Sequence, residues 1–220
     1  MKTAEDILRR LPGDGWLVIV DELPEFGGEF SFLADHLMRH SNLSYSPTHI
    51  TMKTKNGRNS STLIDDLETI LDVHVETVDL EAARPVESVA PGLLILSGGD
   101  AKSWITALGS STLGSAIKEA IHDGALLFAA DAAASALGSW VVESLSAEPI
   151  PGLDWLPGAI VLPWINNPAE SISVRELLAK REAAYALGLA RGRLFAFGPH
   201  AQVEVWGGAT PTVVLGSDWG

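Results

Sequence analysis

Four short apolar runs constrain this chain more than any other feature: residues 16–20, 93–96, 126–130 and 159–162. Each has the length of a strand and no polar alternation. Each breaks off abruptly, at Asp21-Glu22, Ser97-Gly98-Gly99-Asp100, Asp131 and Pro163-Trp164 respectively. A strand without a polar side has both faces covered, as in a parallel sheet with helices above and below. Segments of helical spacing lie between the runs, at residues 30–39, 61–71, 101–108, 112–122 and 132–143. This alternation predicts a three-layer α/β fold with a mostly parallel, doubly wound sheet.

The remaining segments extend the pattern. Residues 49–54 and 73–80 read as strands, the first ended by the turn signal Asn56-Gly57. Three prolines between Pro149 and Pro157 require a loop. Ser173-Val174-Arg175-Glu176 has the form of a capping box and is expected to open a helix running to about Ala186. At the tail, residues 202–206 and 212–215 alternate around Gly207-Gly208, which predicts a hairpin finishing the sheet as an antiparallel ribbon. No repeat or low-complexity linker divides the 220 residues, so a single domain over 1–220 is expected.

Composition removes several classes of function. The net charge of −13 repels phosphates, and the largest basic cluster is Lys53, Lys55 and Arg58, so nucleic acid is not an expected partner. The absence of cysteine excludes disulfides, thiolate metal sites and a cysteine nucleophile. Residues 125–142 come nearest to a membrane span, but Asp131 stands in the middle of them. A buried strand feeding a helix accounts for them better than a bilayer does. Residues 1–11 read as a short charged helix with no apolar signal region behind it. A cytoplasmic protein without a membrane partner is expected, with a homo-oligomer left open.

In doubly wound sheets, binding and chemistry gather beyond the carboxyl ends of the strands. The informative motifs here are Gly98-Gly99-Asp100 with the following Leu108-Gly109-Ser110-Ser111-Thr112-Leu113, then Asp131-Ala132-Ala133-Ala134 with Gly138. Gly152-Leu153-Asp154-Trp155-Leu156-Pro157-Gly158 and Val214-Leu215-Gly216 complete the set. In this order they resemble the cyanophycinase and dipeptidase E family of serine peptidases, which have the class I glutamine amidotransferase-like fold. The resemblance extends from about Gly15 to the C-terminus and is densest between Leu93 and Gly158. It implies a nucleophile at the strand-to-helix elbow and a histidine base just past the strand that follows Leu-Pro-Gly.

Both functional positions depart from that pattern. Asp131 stands where the family has serine, and Trp164 stands where it has histidine. Ser135 lies one helical turn beyond the elbow, and none of the six histidines (His36, His40, His49, His74, His122, His200) falls near the base position. Asp21-Glu22 replace the glycines usual after the first strand.

The resemblance therefore implies a peptidase scaffold without its catalytic pair. Such a pseudoenzyme would bind a small molecule, peptide or protein partner through Gly98, Gly99, Asp100, Asp131, Ala132 and Trp164. Two other readings stay open. One is an active hydrolase, using Asp131 as a carboxylate nucleophile or working in another register; the other is a structural subunit of an oligomer. Asp131 itself suits a helix N-cap, a nucleophile or a cation ligand.

The family fold sets the strand ends side by side, so Asp21, Glu22, Asp100 and Asp131 are expected to form an acidic cluster. No cofactor is required there, and oxygen-only ligands favour Mg²⁺ or Ca²⁺ over zinc. His36 and His40 have the i, i+4 spacing of helical metal ligands, but no third ligand lies near them in sequence, and they read as surface histidines. The seven tryptophans read as core anchors, except Trp164, which is expected to stand in the former site and fill it.

Overall fold

Strand β1 (Trp16–Val20) lies inside a seven-stranded sheet and sends alternate side chains to two different cores, which is why its sequence is apolar throughout. The structure is a computed structural model that describes residues 7–23, 31–53, 61–81, 89–145, 147–189, 193–207 and 210–216. After β1 come α1 (Ser31–His40), β2 (Thr48–Met52), α2 (Ser61–Leu71), β3 (Glu76–Asp79) and β4 (Leu93–Gly98). Then follow α3 (Ala101–Leu108), α4 (Thr112–His122), β5 (Leu126–Ala130) and a short α5 (Ala132–Ala136). The last part holds β6 (Gly138–Val141), β7 (Ile150–Pro151), β8 (Leu156–Pro163), α6 (Ile172–Ala179), β9 (Tyr185–Leu189), β10 (Leu194–Phe197), β11 (Val203–Trp206) and β12 (Thr212–Leu215).

The seven-stranded sheet has the order β11-β10-β1-β5-β4-β2-β3. From β1 to β3 all pairings are parallel, and β10 and β11 add antiparallel strands at one edge. On one face, Leu33 and Leu37 of α1 and Leu67 and Leu71 of α2 pack with Val18, Ile95 and Phe128. On the other, Trp104 of α3 and Ile117 and Ile121 of α4 pack with Leu17, Ile19 and Leu127. These are the three expected layers. A second sheet, β12-β9-β8-β6-β7, shares this second core through Val161 and Leu187, and its outer residues Ile160, Leu162 and Ala186 pack with Val174 and Leu177 of α6. No helix among the described residues is long and apolar enough to cross a membrane.

Several local expectations are corrected. The helix expected over 132–143 ends after five residues, and Gly138–Val141 is a strand. Gly138 pairs with Leu156, and a Cβ there would come within 2.8 Å of the Ala159 carbonyl oxygen. Helix α6 is capped by Ser171, whose side chain accepts from Val174 N, while Ser173 Oγ donates instead to Ala147 O. That helix stops at Ala179, and Tyr185–Leu189 is a fully buried strand between β8 and β12. The tail strands do not form a hairpin: β11 pairs with β10 in the large sheet and β12 with β9 in the small one. Asn56-Gly57, Lys55, Arg58, Gly208 and residues 1–6 lie outside the described residues.

Candidate functional site

Parallel pairing brings the candidate residues to one end of the sheet. Val20 of β1 is level with Ala130 of β5, so Asp21 and Asp131 leave neighbouring strands together, and Asp131 N donates to Val20 O at 3.1 Å. Leu96 of β4 pairs with Ala129, so Gly98 reaches the level of Asp131 on the other side. Asp131 has φ 55° and ψ −123°. These angles lie outside the regions ordinarily open to a residue with a Cβ, and they give a sharp strand-to-helix elbow.

The expected base position also meets the elbow. Trp164 follows β8 in the second sheet, and its Nε1 donates to Asp131 Oδ1 at 2.9 Å. Small side chains in α5 allow the close packing this requires, and Ser135 Oγ ties α5 to β8 by donating to Val161 O at 3.2 Å. That bond and the burial of Ser135 give it a structural role. Trp164 itself has φ 70°, another backbone conformation rarely adopted by a bulky residue. The ring stands at the elbow, the position expected for it, with 51 % of its surface accessible.

Asp131 makes no side-chain cap to α5, so the N-cap reading is corrected. Its carboxylate turns to Trp164 instead. Asp100 is the N-cap of its own helix, accepting from Ser103 N at 2.8 Å. Asp21 is buried, Glu22 is half-buried and Asp100 is exposed. The four carboxylates are not among the groups of three or more ligand atoms that converge within 4.8 Å in the described residues. Gly98 and Gly99 have φ 78° and 66°, and a Cβ on Gly98 would stand 2.2 Å from Met52 O. Both glycines are required by the backbone itself, whatever else they do.

One serine–histidine contact was not anticipated. His49 Nε2 lies 2.7 Å from Ser97 Oγ, joining β2 to β4 just before Gly98. His49 is fully buried and Ser97 nearly so, which keeps substrate away from both. Burial also pushes the His49 imidazole down to about 4, a weak base at neutral pH. The pair is a cross-strand hydrogen bond within the sheet. Its members are far apart in sequence, and only the β2–β4 register reveals it.

No protein-family model and no curated protein sequence matches the chain. Solved structures do match. A peptidase from an acI-B1 Actinobacterium superposes with a TM-score of 0.61 at 17% identity, covering 94% of this chain and 97% of that one. The fold is peptidase-like. A Listeria monocytogenes EGD-e protein named for peptidase E superposes with a TM-score of 0.54 at 10% identity, covering 89% of this chain and 99% of that one. At such identities the likeness carries the architecture and leaves the chemistry to the residues themselves. On this peptidase E-like scaffold, the elbow presents a carboxylate facing an indole N–H.

Proposed function

We propose that this peptidase-fold protein has exchanged serine catalysis for ligand binding at the elbow, and that its ligand carries a basic group. The observation that supports this most is the 2.9 Å hydrogen bond from Trp164 Nε1 to Asp131 Oδ1. A serine mechanism needs a hydroxyl nucleophile and a neighbouring group that accepts its proton. An indole N–H only donates, so Trp164 cannot take a proton from a neighbouring nucleophile. Each partner also holds a strained, positive φ. Strain of this kind costs about 1–3 kcal/mol per residue and persists where the surroundings hold it, commonly at ligand clamps and active sites.

A half-exposed aromatic ring beside a carboxylate suits an arginine or lysine side chain, through ion pairing and cation–π contact. The net charge of −13 favours the approach of the same ligands. The test has two arms. A fluorophosphonate probe should leave the protein unlabelled; labelling that maps to Ser135 would restore the hydrolase reading. Calorimetric titration should show arginine- or lysine-containing dipeptides binding and aspartyl dipeptides not binding. Asp131→Asn should weaken that binding by roughly 10- to 100-fold. Binding indifferent to Asp131→Asn would move the ligand site elsewhere.

A further inference from the structure

The i, i+4 histidines of α1 acquire in the fold the third ligand that their sequence neighbourhood lacks. Glu204 of β11 faces His36 and His40, and one ligand atom from each of the three lies within 4.8 Å of the others. His40 Nε2 stands 3.9 Å from Glu204 Oε2. Two tetrahedral zinc ligands, each about 2.1 Å from the metal, are about 3.4 Å apart. Small side-chain rotations therefore bring this pair to coordination distance.

The surroundings have the features of a metal's outer shell. Trp206 Nε1 donates to Glu204 Oε2 at 2.7 Å, which orients the carboxylate. The Trp206 ring stacks against His36 at 4.6 Å and His40 at 5.3 Å, and Trp16 packs on His40 at 4.3 Å. These rings form an apolar wall that limits solvent access. His36 Nδ1 is shut off from solvent and has no hydrogen-bond partner among the described residues. Such a nitrogen is costly as it stands, and metal coordination is one way of satisfying it.

We propose that His36, His40 and Glu204 bind one divalent transition-metal ion of the zinc class at the β11 edge of the large sheet. Two imidazoles and one carboxylate suit zinc and its neighbours better than Mg²⁺ or Ca²⁺. Three protein ligands leave a fourth position for water. This site is separate from the elbow. Trp16 and Trp206 pack in the layer of α1 and α2, α5 packs in the opposite one, and β10 and β1 intervene between β11 and β5. The proposal is therefore independent of the ligand reading at Asp131.

The experiment is calorimetric titration of the metal-stripped, tag-free full chain with ZnCl₂, paired with thermal melts. The expected result is one zinc per chain. The melting temperature should rise by about 5–10 °C at a hundredfold excess over the Kd. His36→Ala, His40→Ala and Glu204→Gln should each weaken binding by more than the 10- to 100-fold typical of losing an outer-shell partner, and Trp206→Phe by an amount within that range. Glu204→Gln keeps the size of the side chain and an acceptor for Trp206, so its circular dichroism spectrum should match the parent. Co²⁺ in place of zinc should give a visible absorption band in the parent and none in Glu204→Gln. Absence of stoichiometric binding at about a hundredfold over a micromolar Kd, or binding unchanged in all three ligand variants, would overturn the site.

Discussion

The indole of Trp164 donates to the carboxylate of Asp131 at 2.9 Å, and both residues hold positive φ, 70° and 55°. One follows the last residue of a strand in the small sheet, and the other follows a strand in the large sheet. Their hydrogen bond therefore joins the two sheets at the elbow, through two backbones that are individually unfavourable. An indole donor leaves the Asp131 carboxylate no proton acceptor in the place where the resemblance puts a base.

The first prediction concerns the backbone at the elbow. Glycine adopts φ 55°, ψ −123° freely, whereas alanine does not. Asp131→Ala and Asp131→Gly both lose the Trp164 bond, but only the glycine variant relieves strain. Urea unfolding should find the alanine variant less stable than the glycine variant by about 1–3 kcal/mol. Equal stabilities would mean that the elbow relaxes once the carboxylate is gone.

Replacing the two side chains with the family's pair should not recreate a peptidase. Asp131→Ser with Trp164→His supplies a nucleophile and a base. Useful catalysis also requires both to be held within fractions of an ångström by a supporting shell. Here Ser135 and the small residues of α5 are committed to packing against β8. Hydrolysis of aspartyl dipeptides should stay far below the 10⁴–10⁸ M⁻¹s⁻¹ range of ordinary enzymes. A kcat/KM inside that range would show that the shell survives intact.

The divalent-ion expectation at the strand ends now points the other way. Asp100 is engaged as a helix cap and Asp131 with an indole, and their carboxylates do not converge with those of Asp21 and Glu22 as a three-ligand group. Millimolar Mg²⁺ or Ca²⁺ should leave the melting temperature unchanged beyond the effect of ionic strength. A rise that disappears in Asp131→Asn would reinstate the acidic cluster as a cation site.

What could be read from the sequence follows from where the information lies. β1, β4 and β5 are apolar on both faces, so their runs are visible without any partner. β6 and β9 are not, because the alanines and leucines around them favour a helix and only pairing with β8 makes them strands. The alternating tail strands β11 and β12 were legible as strands. Their separation into two sheets was not, since turn residues carry only local information. Asp131 and Trp164 were found through motif order, but the hydrogen bond between them is seen only in the fold. The His36–His40 spacing was visible, but Glu204 belongs to a distant strand that only the fold brings to α1.

The last prediction follows from His49, whose imidazole is held at about 4 by burial beside Ser97. In the unfolded chain a histidine titrates near 6.5. Between these values the unfolded state binds a proton that the folded state refuses. The contribution of a neutral His49 is therefore fully present above about pH 6.5 and is lost as the pH falls towards 4. A difference of this size corresponds to about 3 kcal/mol across that window, as an order of magnitude. Carboxylates titrate over part of the same range, so the informative quantity is the difference between parent and variant. His49→Gln keeps a polar group within reach of Ser97 and removes the titration. Denaturant melts at pH 7 should place the variant below the parent, because the imidazole fits this site. By pH 4.5 the gap should have narrowed or reversed, since the parent alone has lost the stability that a neutral His49 contributes. Parallel stability curves from pH 7 to 4.5 would show that His49 accepts its proton without unfolding, and that the sheet opens there more readily than its burial implies.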